Sequence, residues 1–68
     1  MSVTVTINGV ARDIEPGLKL QDLLQQLELG SGPVAVEVNG EIVPRSEHPR
    51  HPLQAMDKIE IVQAIGGG

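Results

Sequence analysis

The stretch VTVTINGVARDI, residues 3–14, sets the architecture of the chain because it encodes two strands joined by a tight turn. Apolar and polar residues alternate from Val3 to Ile7, which is the period of a half-buried strand. Asn8-Gly9 follows, and this dipeptide is the strongest short hairpin signal, since a type I′ turn needs positive φ at both positions. Residues 2–15 are therefore predicted to form one antiparallel hairpin.

A helix is predicted next, from leucines that recur at i, i+3, i+4 and i+7: Leu20, Leu23, Leu24 and Leu27. Such an apolar stripe indicates a helix of two to three turns. Lys19 is placed as its N-cap, although lysine is a poor cap, and Leu18 is placed to pack on Leu23 as a hydrophobic staple. Gly30 is the expected C-terminal stop.

The second half of the chain encodes three further strands. Val34, Val36 and Val38 alternate with other residues, and Asn39-Gly40 predicts a second tight turn. A short fourth strand is predicted at residues 42–43, before a proline that limits it. Residues 46–52 are polar and hold two prolines, which favours a loop, and the last strand is expected from about residue 58 to residue 65.

This order of hairpin, helix, short hairpin, loop and strand predicts an α+β fold, the ubiquitin-like β-grasp. One main helix must cover one face of a mixed sheet, because neither element buries its apolar side alone. The last strand is expected to pair in parallel with the first, in the middle of the sheet. Residues 1–65 are predicted to form one domain, and residues 66–68 a flexible glycine tail. The predicted core consists of Val3, Val5, Ile7, Leu20, Leu23, Leu24, Leu27, Val36, Val38, Val43, Ile59 and Ile61.

Composition excludes several classes of function. The 68 residues include no cysteine, so disulfides and thiolate zinc sites are excluded. They also include no Phe, Tyr or Trp, so nucleobases cannot stack on aromatic side chains. The net charge of −4 opposes binding to phosphate backbones and anionic membranes. There is no signal peptide, and no apolar run approaches the ~20 residues of a transmembrane helix. We expect a cytoplasmic protein with no nucleic-acid or membrane partner.

Catalytic and metal-binding alternatives are weak. Ser46, His48, His51 and Asp57 are residue types found in hydrolases, but so short a chain is not expected to enclose a catalytic pocket. The two histidines are spaced i, i+3, yet the prolines among them oppose the helix that would bring them together on a metal. We expect no catalytic residue and no metal site, and a solvated loop in their place.

The uncovered face of the sheet is a candidate docking surface. Strand parity turns five side chains away from the helix: Glu37, Ile42, Glu60, Val62 and Ala64. Apolar side chains rimmed by carboxylates resemble the core and rim of a protein interface. The alternative is an ordinary solvated face, because scattered exposed aliphatic residues are normal.

The C-terminal glycines are the candidate working end. Gly66, Gly67 and Gly68 cannot add to a core, but bare backbone fits a narrow slot in another protein. An extended tail places the terminal carboxylate roughly 10 Å beyond Ile65. A partner that adenylates this carboxylate makes it an electrophile, so the domain itself supplies recognition and no catalysis. The alternative is a frayed end.

The whole chain resembles the thiamin-biosynthesis sulfur carriers, a family of ubiquitin-like β-grasp proteins. The resemblance rests on Asn8-Gly9, Leu20-Gln21-Asp22-Leu23-Leu24, the segment VEVNGEIVPR at residues 36–45, the segment DKIEIV at residues 57–62, and the closing AIGGG at residues 64–68. Two departures stand out: Lys19 lies where the family has a capping Ser or Thr, and Ala55-Met56-Asp57 replaces an Asp-Gly-Asp turn.

The resemblance implies a mechanism. An adenylyltransferase related to ubiquitin-activating enzymes would use ATP to adenylate the carboxylate of Gly68. A persulfide-bearing donor would then convert it to a thiocarboxylate, and thiazole synthase would take the sulfur. Gly67 and Gly68 match the family's diglycine, Gly66 precedes it, and no cofactor is expected to stay bound.

Other functions share this fold and tail. A carrier could serve molybdopterin synthesis, cysteine synthesis or tRNA thiolation, and a ubiquitin-like modifier would instead be joined to lysines of target proteins. A plain interaction module, with glycines that do nothing, is the remaining alternative.

Overall fold

The computed structural model describes residues 1–29 and 32–63, and its first element is the predicted hairpin. Strand β1 spans Val3–Ile7 and pairs antiparallel with β2, Val10–Ile14. Asn8 and Gly9 have φ angles of 50° and 84°, the two positive values that a type I′ turn requires. The hairpin is confirmed.

The second hairpin is also confirmed, with one shift in its bounds. Strand β3 spans Val34–Val38 and pairs with β4, Glu41–Ile42, across a turn in which Asn39 and Gly40 have φ angles of 54° and 85°. The fourth strand therefore starts and ends one residue earlier than predicted. Val43 lies after it, where its amide donates to the carbonyl of Val36 at 2.9 Å and its side chain is buried.

The last strand lies in the centre of a five-stranded sheet, as predicted. Strand β5 spans Lys58–Gln63, and the strand order is β2-β1-β5-β3-β4. β5 runs parallel to β1 and antiparallel to β3, and one α-helix, α1, spans Leu20–Gln26. This is the β-grasp arrangement of an α+β fold. The expected end of β5 at residue 65 and the boundary before the glycine tail lie outside the described residues.

The start of α1 is closed by another segment of the chain. Lys19 is the N-cap, as predicted, and its side chain makes no capping hydrogen bond. The amide of Leu20, which has no partner within the helix, donates instead to the carbonyl of His51 at 2.8 Å. A tertiary contact thus satisfies one of the four amides that every helix leaves unpaired at its N-terminus.

The end of α1 differs from the prediction. Glu28 adopts a left-handed φ of 60°, its amide donates to the carbonyl of Gln25 at 3.0 Å, and the amide of Leu29 donates to the carbonyl of Leu24 at 2.7 Å. This pair of bonds is a Schellman motif, in which glycine is the usual left-handed residue. The helix therefore stops at Glu28 and not at Gly30, which itself lies outside the described residues.

The predicted loop at residues 46–52 is wrong, because Arg45–Arg50 forms a 3-10 helix. The amide of Glu47 donates to the carbonyl of Pro44 at 2.8 Å. The prolines argue against an α-helix at these residues. A short 3-10 helix uses few backbone amides as hydrogen-bond donors, so it tolerates the missing amide of Pro49. The 3-10 helix contacts α1, and His48 is buried rather than solvated.

The core is aliphatic, and most of it was predicted. The buried apolar residues are Val5, Ile14, Leu20, Leu23, Leu24, Val36, Val38, Val43, Leu53, Ile59 and Ile61. Val3, Ile7 and Leu27 were expected among them and are only partly buried. Ile14 and Leu53 were missed. Leu53 lies outside any helix or strand, so no periodicity marks it, and its amide donates to the carbonyl of Leu18 at 2.8 Å.

Strand β5 is held by the side chain of a turn residue as well as by its neighbours. The Asn8 amide nitrogen donates to the carbonyl of Ile61 at 3.1 Å, and the amide of Ile61 donates to the Asn8 side-chain oxygen at 2.8 Å. The Asn8 side chain thereby makes the two hydrogen bonds to Ile61 that a neighbouring strand would make, although β1 has already ended at Ile7. The left-handed backbone of the turn puts this side chain beside β5.

We expect Asn8→Asp to destabilise the fold by about 1–3 kcal/mol, because the carboxylate keeps the acceptor, loses the donor and faces the carbonyl of Ile61. Urea unfolding followed by far-ultraviolet circular dichroism measures the change, since the chain has no fluorescent aromatic residue. Gln21→Glu makes the same change of charge on an exposed position of α1 and is the control. Equal stability of the two variants would contradict the role of Asn8.

Candidate functional site

The outer sheet face consists of the exposed residues that point away from α1 on β3, β4 and β5: Ala35, Glu37, Ile42, Glu60 and Val62. Ile42 is 75% exposed and Val62 is 66% exposed, which is high for aliphatic side chains within a sheet. Four of the five predicted docking residues therefore share this face, and Ala64 lies outside the described residues. Their docking role stays a prediction.

Strand pairing places these side chains in two adjacent rows. In one row Glu37 lies opposite Glu60 on β5 and opposite Ile42 on β4. In the next row Ala35 lies opposite Val62. Ala35 was missed in the sequence, although the alternation of β3 puts it on the same face as Glu37. The result is an apolar patch beside two carboxylates.

The pairing of Glu37 with Glu60 is unfavourable for the isolated domain. Directly opposite residues in an antiparallel pair have Cβ atoms about 4.5–5.5 Å apart, and like charges at that distance destabilise a sheet. Both side chains are exposed, so water and salt weaken the repulsion without removing it. A basic surface brought against this face would offset the repulsion, because it attracts both carboxylates.

The C-terminal segment begins at the edge of the outer sheet face. The described part of β5 reaches Gln63, one residue after Val62. Five residues follow, including Gly66, Gly67 and Gly68, and they lie outside the described residues. Five fully extended residues span up to about 17 Å. A segment of this length would reach from Gln63 into a partner seated on the outer sheet face.

Three of the four residues of types found in hydrolases lie at two different places in the structure. His48 Nε2 donates to the carbonyl of Val43 at 3.1 Å, and His48 lines a crevice beside α1. His51 and Asp57 line a different crevice. The Asp57 carboxylate accepts from the Asn39 side-chain amide at 3.0 Å and from the backbone amide of Gln54 at 2.8 Å, so it closes a turn.

Residues 1–29 and 32–63 hold no cluster of three or more His, Asp or Glu side chains placed to bind a metal ion. In the same part of the chain, no helix has the length and apolar content needed to cross a bilayer. Neither finding extends to the residues at the C-terminus.

Comparison with known proteins gives one consistent result. The model of the ThiS family matches residues 5–68. The sulfur carrier protein ThiS of Escherichia coli is 33% identical over 64 residues, which cover 94% of this chain and 97% of that protein. The crystal structure of the thiamine biosynthesis protein ThiS from Geobacter metallireducens superimposes with a TM-score of 0.82 at 28% identity, covering 97% of this chain and 100% of that one.

A second kind of relative is much longer than this chain. A thiazole synthase from Paramagnetospirillum magneticum is 42% identical over 64 residues, which are 94% of this chain and 20% of that protein. A thiazole synthase from Magnetococcus marinus is 39% identical with the same coverage. The chain therefore spans about a fifth of the thiazole synthases that it matches.

We expect Glu37→Gln and Glu60→Gln each to stabilise the domain by about 0.2–1 kcal/mol at low ionic strength, because each removes the repulsion between the carboxylates. The double variant is expected to gain less than the sum of the two, since the repulsion is removed only once. Urea unfolding at low and high salt measures the free energy of unfolding of the wild type, the two single variants and the double variant. Glu15→Gln is the control for the change in net charge. Strictly additive gains would show that the two carboxylates do not interact.

Proposed function

This chain belongs to the ThiS family of thiamin-biosynthesis sulfur carriers, and we propose that it carries sulfur as a thiocarboxylate on Gly68. The family match runs through residue 68 and so includes the terminal glycines. That match, together with a central strand that is described to Gln63, five residues before Gly68, is the observation that carries the proposal. The same proposal places the carrier in the cytoplasm, where ATP is abundant.

The chemistry starts at the terminal carboxylate. A carboxylate oxygen of Gly68 attacks the α-phosphate of ATP on a partner adenylyltransferase, pyrophosphate leaves, and an acyl adenylate forms. A persulfide sulfur of a donor protein then attacks the acyl carbon and AMP leaves. A second thiol cleaves the resulting acyl disulfide, which leaves the thiocarboxylate on Gly68 and a disulfide on the donor side. The carrier itself contributes a nucleophile and no acid, base or metal.

Thiazole synthase is the proposed recipient of the sulfur. Its support comes from the two relatives named thiazole synthase, each of which contains a segment similar to almost the whole of this chain. A carrier segment within the same polypeptide as the enzyme raises the effective concentration of one at the other. We propose that this chain meets the enzyme as a separate molecule, through the outer sheet face.

The outer sheet face fits a partner with an apolar patch flanked by basic groups. Ile42 and Val62 supply apolar area that water now covers, and burying such area favours association by about 25 cal/mol per Å² before the costs of docking are subtracted. Glu37 and Glu60 supply the charge that guides a basic surface to the correct position. The glycines then enter the active site as bare backbone, since a side chain there would meet the walls of a narrow channel.

Sulfur loading of the terminus tests the central claim. Intact-mass measurement of the protein purified from its native host is expected to show a fraction in which sulfur replaces one oxygen. Gly68→Val is expected to abolish that fraction, because the branched side chain lies next to the reacting carbonyl, whereas Ser2→Val at the exposed N-terminus is expected to retain it. Failure of the wild-type chain to be adenylated by any host enzyme would refute the proposal, and isopeptide conjugates would indicate a protein modifier instead.

Val62→Lys tests the docking face separately. We expect it to weaken binding to thiazole synthase by at least about tenfold, because it places a charge at the centre of the interface, while the melting temperature stays close to that of the wild type. Ala11→Lys adds the same charge at an exposed position of β2, two strands from β5, and is expected to bind normally. Unfolding of the Val62 variant would contradict the assignment of the face, and unchanged binding would contradict the docking role.

A further inference from the structure

Arg45 lines a groove that adjoins the outer sheet face, and it also lines two further crevices. It is the first residue of the 3-10 helix. On one side it lines a groove of about 290 Å³, the Arg45 groove, together with Pro33, Val34, Ala35 and Val62. On the other side it borders a crevice of about 250 Å³ lined by Gln21, Leu24, Gln25 and His48. Apart from Arg45, every residue of the Arg45 groove is apolar.

The guanidinium of Arg45 has no anion to bind within residues 1–29 and 32–63. It forms no hydrogen bond and no ion pair there, whereas Arg50 on the same 3-10 helix pairs with the Glu47 carboxylate at 2.9 Å. An arginine beside apolar walls binds an incoming carboxylate more strongly than one in open water, because the walls exclude part of the competing solvent.

The Arg45 groove is continuous with the outer sheet face, since Ala35 and Val62 belong to both. The Glu37–Glu60 pair lies two residues further along β3 and β5, a distance of about 7 Å at 3.3 Å per residue. A partner that covers the apolar patch therefore meets two negative charges at one end and one positive charge at the other. Such an arrangement of opposite charges distinguishes one orientation of the partner from its reverse.

We propose that the Arg45 groove is the second half of the docking surface and binds a carboxylate side chain, Asp or Glu, of thiazole synthase. This inference rests on the proposed function and deepens it by naming the chemistry of the partner surface. The planar guanidinium binds both oxygens of a carboxylate in one geometry, which lysine does not reproduce. Because the Arg45 groove includes Val62, next to the last described residue of β5, the contact would hold the partner beside the strand that leads to the C-terminal segment.

Binding of thiazole synthase from the same host tests the inference by calorimetry. We expect Arg45→Glu to weaken binding by roughly 10- to 100-fold and Arg45→Lys by a smaller factor, because lysine keeps the charge and loses the bidentate geometry. Arg12→Glu makes the same change of charge on β2 at the opposite edge of the sheet and is the matched control, expected to bind almost as the wild type. Circular dichroism checks that all three variants are folded.

A reciprocal change on the partner identifies the bound group. Among lysine substitutions of the surface Asp and Glu residues of thiazole synthase, one is expected to restore binding of Arg45→Glu while weakening that of the wild type. The absence of any such compensating position would overturn the inference. Equal losses for Arg45→Glu and Arg12→Glu would overturn it as well and leave the proposed function standing. A wild-type chain that does not bind thiazole synthase would refute both.

The other possible occupant of the Arg45 groove is the chain's own terminal carboxylate. Amide chemical shifts of Gly66, Gly67 and Gly68 in the free protein distinguish this case. We expect Arg45→Glu to leave these chemical shifts unchanged, because the inference assigns the groove to a carboxylate of the partner. A clear shift at these glycines in the variant would show that the chain's own C-terminus occupies the groove and would overturn the inference.

Discussion

The fold depends on how the central strand β5 is held in place. Its backbone pairs with β1 on one edge and β3 on the other, and a turn asparagine strengthens each edge. Asn8 makes two bonds to Ile61. On the other edge, the side-chain oxygen of Asn39 accepts from the amide of Lys58 at 2.9 Å, while its backbone amide donates to the carbonyl of Lys58 at 2.7 Å. Asn8 and Asn39 both adopt the left-handed backbone conformation that their tight turns require.

Holding β5 in the centre creates two faces with different roles. Ile59 and Ile61 are buried against α1, and Glu60 and Val62 between and after them are exposed. The same strand therefore stabilises the core and presents the outer sheet face. It is described as far as Gln63, and Val62 next to this residue belongs to the surface proposed to bind the partner. One strand therefore contributes both to the stability of the domain and to the proposed docking surface.

Residues 43–53 supply the hydrogen bond and the packing that α1 does not provide for itself. Because Lys19 provides no capping bond, the amide of Leu20 is satisfied by His51, and the buried ring of His48 is tied to Val43. Leu53 completes this side of the core. A helix of seven residues is too short to be stable alone, so its position comes from this segment and the sheet. These contacts also fix the start of the 3-10 helix and hence the place of Arg45.

Local signals in the sequence were sufficient to predict the strands and the tight turns. Apolar alternation and turn residues placed all five strands, and every described boundary was correct to within a residue or two. Both Asn-Gly turns were placed correctly, and strand parity put Glu37, Ile42, Glu60 and Val62 on one face. Local signals suffice there because side-chain direction in a strand has a fixed period of two. The family resemblance, which the ThiS family match confirms, also followed from the sequence.

Features that join distant segments of the chain depend on long-range contacts and have no local signal in the sequence. The left-handed Glu28 and the 3-10 helix around Pro49 contradict the local preferences of these residues, and the burial of Leu53 has no local signal. Long-range packing and hydrogen bonding outweigh these preferences, which are worth about 1 kcal/mol for most residues and about 3 kcal/mol for proline within an α-helix. Arg45 belongs to the segment VEVNGEIVPR at residues 36–45, but the sequence alone indicated no role for it. Its neighbours Pro33, Ala35 and Val62 come from other segments of the chain, and folding alone brings them to one groove.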